Sequence, residues 1–223
     1  MDKIKSLKAK FKNQNLFDSA LTHRSWVNEH KGVRTNNERL EFLGDAVLEF
    51  IVSKELFAKF PDKEEGYLTA LRANIVNTIS LSEVAKKLDL GPLIFLSKGE
   101  EDGGGRQNTS LLADTVEAII GAMFIDRGIE ASEKFIEENL LKDVEVRAKE
   151  PLKDSKSQLQ EHVQSLGFSA PKYQVVEESG PDHNKKFIIE VVVNGKPWGR
   201  GEGKSKSTAE QDAARQALAK KVQ

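Results

Sequence analysis

The chain has 223 residues, 34 lysines and arginines against 35 acids, 38% hydrophobic and 7% aromatic residues, and no cysteine. Without thiols it forms no disulfide, thiolate zinc site, iron–sulfur cluster or cysteine nucleophile, and apolar runs such as residues 118–125 fall far short of the roughly 20 residues needed to span a bilayer. The length suits two domains, and the charge divides: residues 1–150 hold 22 basic against 26 acidic side chains (net −4), residues 151–223 hold 12 against 9 (net +3), an acidic part followed by a basic, anion-binding part.

In chain order, Lys3, Lys5, Lys8 and Lys10 make the amino terminus basic, but no apolar segment follows to complete a secretory signal, so a cytoplasmic location is expected. Next comes Asn37-Glu38-Arg39-Leu40-Glu41-Phe42-Leu43-Gly44-Asp45-Ala46, a helix-forming run. At roughly 100° per residue, Glu38, Glu41 and Asp45 fall within about 60° of one another, opposite Leu40, Leu43, Val47 and Ile51. Phe42 and Leu48 flank the acidic side. The glycine-rich stretch from Gly99 to Arg106 lacks the Gly-Lys-Ser/Thr end of a nucleotide-binding loop and reads as a mobile connector that leaves Arg106 available to a ligand. A second run, Leu112 to Gly121, repeats the acidic arrangement with Asp114 and Glu117 one turn apart, and Val116, Ile119, Ile120 and Met123 turned away.

A carboxylate on a helix is ordinarily a solvated surface residue. Here Ala113, Ala118, Gly121 and Ala122 leave little bulk around the second acidic pair, so two such helices are able to approach closely and gather four carboxylates. That cluster repels itself unless cations bind. Oxygen-only ligands suit hard divalent ions such as Mg²⁺ or Mn²⁺, and a pair of these forms the clamp used in displacement at phosphodiesters. The histidines, His23, His30, His162 and His183, lack the spacing of a zinc motif.

The charge-rich stretch 142–150, closed by Pro151, reads as a helix end and a short linker at 151–153. A helix from about Ser155 to Leu166 follows. Strand-like runs at 173–176, 187–193 and 198–201 come next, with a hairpin signal at Asn194-Gly195. A last helix from about Ser207 to Lys221 carries Ala209, Ala213, Ala214 and Ala217 on one face. Taken singly, an alanine-rich helix is ordinary packing and a lysine cluster is solvated surface. Their order within one αβββα unit changes that reading.

Residues 37–46 and Asp114-Thr115-Val116-Glu117-Ala118 resemble the two acidic motifs of the ribonuclease III family of double-stranded-RNA endonucleases. Residues 17–25, Glu65-Gly66 and 71–74 are also similar, and the resemblance runs in family order over nearly the whole chain. It implies an all-α endonuclease domain at 1–150 and, at 154–223, a small α+β (αβββα) double-stranded-RNA-binding domain. It implies Mg²⁺, with Mn²⁺ as a substitute, held by Glu41, Asp45, Asp114 and Glu117, with Asp45 and Glu117 the catalytic pair and Glu38 and Glu65 accessory acids. The metals would activate a water and stabilise the leaving 3′ oxygen, giving 5′-phosphate and 3′-hydroxyl ends with short 3′ overhangs. A homodimer through the catalytic domain is implied, each subunit cutting one strand, with Phe42 a candidate knob against the partner. Processing of rRNA, mRNA and tRNA is the implied role.

In the second domain the resemblance assigns minor-groove contacts to Gln160, Gln164 and His183, and phosphate contacts to Lys204, Lys206 and Ser207. The family often has a second basic residue directly after the position of Lys206. This chain has Ser207 and Thr208 there, so one charged contact is missing. The rival reading is a double-stranded-RNA-binding protein that does not cut, which would be expected to lack at least one of the four acids. A DNA nuclease fits poorly with a domain that reads 2′-hydroxyls.

Overall fold

Asparagines start several helices of the first 150 residues. The side chains of Asn13, Asn77 and Asn108 each accept a hydrogen bond from a backbone N–H in the turn that follows, satisfying donors a helix start leaves unpaired. In the computed structural model, residues 2–149, 154–181 and 185–221 are described; the linker expected at 151–153 lies outside them. The chain divides into two units, residues 1–150 and 151–223. The first contains α1 (Asp2–Ala9), α2 (Gln14–Ala20), α3 (Arg24–Glu29), α4 (Glu38–Lys59), α5 (Glu65–Val76), α6 (Thr78–Lys87), α7 (Lys98–Asp102), α8 (Thr109–Arg127), α9 (Ile129–Ile136) and α10 (Val144–Arg147).

The centre of this unit is the crossing of α4 on α8. From Leu112 to Met123, α8 buries nearly every side chain that is not acidic, as expected of a helix apolar all round. On α4, Leu40, Val47, Leu48, Ile51, Val52 and Leu56 are buried. Where the helices cross, glycine faces glycine. A Cβ on Gly44 would lie 1.8 Å from the Glu117 carbonyl oxygen, and one on Gly121 would lie 2.1 Å from the Leu40 carbonyl oxygen. The two backbones therefore touch with no side chain between them.

The glycine-rich stretch is an ordered element instead of a mobile connector. Ser97 caps α7 through Glu100 N–H, and the Arg106 guanidinium donates to the carbonyls of Gly91, Pro92 and Ile94 as well as to Glu101. Four acceptors on one guanidinium staple the loop, so Arg106 is a structural tie. Its loop reads as flexible in sequence because glycine signals turns without saying what will hold them.

The second unit has the order α11 (Ser155–Ser165), β1 (Lys172–Ser179), β2 (Lys186–Val193), β3 (Lys196–Gly203) and α12 (Lys206–Lys221). The sheet is antiparallel in the order β1-β2-β3. Asn194 and Gly195 have φ of 49° and 73°, the paired positive values a two-residue hairpin requires. The strands outrun the apolar runs at their ends, because the hydrogen-bonded ladder continues through exposed Glu177, Glu178 and Glu202. On the covered face, Leu159 and Val163 of α11 and Ala209, Ala213, Ala214 and Ala217 of α12 pack on Phe187, Ile189, Val191 and Val193. Gly201 lies so close under α12 that a Cβ there would be 2.0 Å from Ala213 N. No helix among the described residues is long and apolar enough to cross a membrane.

Candidate active site

The α4–α8 crossing decides where the acids go. Glu41 sits one turn before Gly44 and Asp114 two turns before Gly121, so the glycine contact draws the two acidic faces together. Carboxylate oxygens of Glu41, Asp114 and Glu117 come within 4.8 Å of one another. Asp45 is exposed and stands outside that set, but its charge is the foremost electrostatic influence on Glu117. Glu38 pairs with Arg24 at 3.2 Å and accepts from Asn36 at 2.9 Å, at the rim of the same cleft. The cleft encloses about 150 Å³ between Glu38, Glu41, Asp114 and Thr115 on one side and His23, Arg24 and Ile94 on the other.

Burial and mutual repulsion act on these acids in the same direction. Burial, then the neighbouring charges of Asp114, Glu38 and Asp45, raises the Glu41 carboxyl above its ordinary value. Burial also raises Asp114, against a smaller opposing pull from His23. Glu117, at the centre, is pushed up to about 8, first by burial and then by Asp45, Asp114, Glu41 and Glu49. A group so perturbed by burial and specific charges, clustered with two other carboxylates, is a candidate functional centre. Three clustered oxygen donors whose charges disfavour one another fit a hard divalent cation, which removes the repulsion.

Other expected residues are placed differently. Glu65 is exposed, accepts from Thr69 Oγ1 at 2.9 Å, and lines an open apolar groove with Phe50, Phe57, Leu68 and Arg72. Among the described residues it is not part of the carboxylate cluster. Phe42 is 80% exposed and does not wall the cleft, whereas Leu48 is fully buried. Residues not anticipated also contribute. His23 enters the cleft because a short parallel bridge pairs Thr22 with Phe95, and Asn37 N–H donates to the Thr22 carbonyl at 2.9 Å, tying that loop to the start of α4. Thr22 and Asn37 are themselves buried, a tertiary contact with no spacing signature in the sequence.

In the second unit Gln160 and Gln164 project from α11 into solvent, as do Lys204, Lys206 and Ser207 at the start of α12. His183 lies outside the described residues. Ser205 and Thr208 cap α12 reciprocally: Thr208 N–H donates to Ser205 Oγ, and Ser205 N–H to Thr208 Oγ1. Thr208 is thus engaged locally, which leaves Ser207 as the exposed hydroxyl beside Lys206. Asp154 caps α11 and accepts from Gln211 Nε2 at 2.8 Å, a bond that joins α11 to α12 and holds the Asp154 carboxyl below its usual range.

Residues 13–144 match the family profile described as Ribonuclease-III-like, and residues 155–221 match the double-stranded RNA binding motif. The chain is 49% identical over 209 residues to Ribonuclease 3 of Geobacillus kaustophilus, covering 93% of this chain and 85% of that one. It is 47% identical over 209 residues to Ribonuclease 3 of Enterococcus faecalis, covering 93% and 91%. Among solved structures, the nuclease domain of ribonuclease III from Campylobacter jejuni is similar at 45% identity and a TM-score of 0.56, over 62% of this chain and 96% of that one. With profiles matched across both units and near-half identity along nearly its whole length, the chain belongs to the ribonuclease III family of endonucleases that act on double-stranded RNA.

Proposed function

We propose that the cleft at the α4–α8 crossing hydrolyses phosphodiester bonds of double-stranded RNA by a two-metal-ion reaction, leaving 5′-phosphate and 3′-hydroxyl ends with short 3′ overhangs. The observation that carries this reading is the convergence of Glu41, Asp114 and Glu117 oxygens within 4.8 Å in a chain that also holds a double-stranded RNA binding motif. Glu41, Asp45, Asp114 and Glu117 would hold Mg²⁺, or Mn²⁺ in its place. When bound, the cations supply the positive charge that in-line displacement at a phosphodiester needs.

The chain's own residues prepare that chemistry. Gly44 and Gly121 set the distance between the acidic faces. Glu117, raised to about 8, holds a proton at neutral pH; a divalent cation held there would favour its ionised form. His23 faces Asp114 and favours its ionised form. Gln160, Gln164, Lys204, Lys206 and Ser207, with His183, grip the duplex through 2′-hydroxyls and phosphates.

The active assembly is a homodimer in which each subunit cuts one strand. Phe42, Phe50 and Phe57 stand exposed on α4, and Phe50 and Phe57 line a groove of about 720 Å³ with Glu65 and Arg72, a patch suited to a second copy. The similar Campylobacter jejuni nuclease domain has a region involved in dimer formation. Such an enzyme would process rRNA, mRNA and tRNA precursors in the cytoplasm. The test is incubation of the chain with a fully paired RNA duplex, single-stranded RNA and duplex DNA, with and without Mg²⁺. Mg²⁺-dependent cleavage confined to the RNA duplex is expected; cleavage in a chelator, or none of the duplex, sinks the reading.

A further inference from the structure

One turn beyond Asp45, Glu49 extends the acidic stripe of α4 toward the groove edged by Phe50, Ser53 and Arg72. Arg72 reaches it from α5. Its Nε is 2.7 Å from Glu49 Oε2 and its NH1 donates to Ser53 Oγ at 2.8 Å, while Ser53 Oγ donates to the Glu49 carbonyl at 2.6 Å. These contacts close a small ring around one guanidinium. A planar fork serves carboxylate and hydroxyl together, which the single point of a lysine ammonium does not.

Glu49 lies outside the Glu41–Asp114–Glu117 cluster, yet its charge is among those that raise Glu117. It stands one turn from Asp45 and about two turns from Glu41 along the same stretch of α4. Released from Arg72, a glutamate side chain has the rotamer freedom to turn along the helix face toward Asp45. A further carboxylate there would draw a divalent cation away from its place among the other oxygens.

We infer that Arg72 is a positioning residue for RNA cleavage, clamping Glu49 against Ser53 so that this additional carboxylate stays out of the cation-binding cluster. The inference rests on the cation-binding reading given above. It predicts an unusual pattern: losing the arginine is harmful only while Glu49 keeps its charge.

The test uses the full chain as wild type, R72Q, E49Q and R72Q/E49Q. Calorimetry measures Mn²⁺ binding without RNA, and single-turnover assays at saturating RNA duplex measure cleavage. R72Q is expected to bind Mn²⁺ at least threefold more tightly and to cut at least tenfold more slowly. Adding E49Q should return both quantities to within about twofold of E49Q alone. If the double variant stays as impaired as R72Q, Arg72 acts through packing or subunit contact and the inference is overturned. R72Q with unchanged Mn²⁺ affinity overturns it equally. Should wild type bind Mn²⁺ but cut no duplex, the functional reading fails while the clamp is judged by the Mn²⁺ arm; a wild type that binds no Mn²⁺ overturns both.

Discussion

Gly44 and Glu117 meet backbone to backbone, with the Glu117 carbonyl oxygen 1.8 Å from where a Cβ of residue 44 would stand. The residue carrying the most perturbed carboxyl of the cluster is thus held at its main chain by the absence of a side chain on the facing helix. Adding one methyl group there forces the helices apart, since neither backbone has a flexible end to yield.

Gly44→Ala should accordingly destabilise the protein by about 3 kcal/mol or more, the upper range for overpacking. Thermal unfolding measures the loss. The Mn²⁺ affinity of whatever fraction remains folded should fall as well. A melting temperature unchanged from wild type would mean the crossing is looser than the geometry requires.

Glu117→Gln should reduce duplex cleavage at least about a hundredfold while leaving gel-shift affinity for the duplex in Ca²⁺ nearly unchanged, because the double-stranded RNA binding motif lies in the other unit. Rates close to wild type would remove Glu117 from the centre.

The raised Glu117 pKa also has a sign in stability. A carboxyl at about 8 in the folded chain, against an ordinary 4.5, makes the folded state bind more protons than the unfolded state between those values. Stability of the metal-free protein therefore falls as pH rises from about 4.5 through 8. In a chelator at pH 8, Glu117→Gln should be more stable than wild type by about 1–2 kcal/mol, solvent screening at a partly open cleft allowed for. At pH 4 the two should match. Paired melts at both pH values check this, and a variant less stable than wild type at pH 8 would contradict it.

In a mixed dimer of one wild-type and one Glu117→Ala subunit, each duplex should be nicked on one strand and not severed. Denaturing and native gels of the same reaction separate the outcomes. Complete cuts from that species in a single encounter would rule out one site per strand.

Removing residues 154–223 should leave Mg²⁺-dependent cleavage at low salt but make it far more salt-sensitive, because the net −4 of residues 1–150 offers little to displace counterions. Ser207→Lys in the full chain should tighten duplex binding by one phosphate contact. A truncated chain as salt-tolerant as the intact one would relocate the main RNA anchor.

Much of this architecture is legible without coordinates where one local rule decides. The two acidic helices follow from periodicity and the Asn194-Gly195 hairpin from the φ values its residues tolerate. The small side chains of α8 correctly foreshadow a close helix approach, but Gly44, their counterpart on α4, passes unnoticed inside the acidic motif. What escapes is long-range. His23 joins the cleft through the Thr22–Phe95 bridge, Arg72 finds Glu49 across a helix pair, and Arg106 turns inward to carbonyls contributed by residues 91–94. None of these has a periodic or spacing signature, because the partner's position is fixed by tertiary packing.

The second unit is built on alanines laid against glycine, with Ala213 N at 2.0 Å from the place of an absent Gly201 Cβ. Such an interlock has almost no rotamers in it, so a shift of α12 along the sheet meets backbone and not a flexible side chain. The helices that carry Lys206 and Gln160 are further joined through the Asp154–Gln211 bond. On the proposed reading, in which Lys206 and Gln160 contact the duplex, the backbone supports of both are already in place, so little backbone ordering entropy is lost on contact.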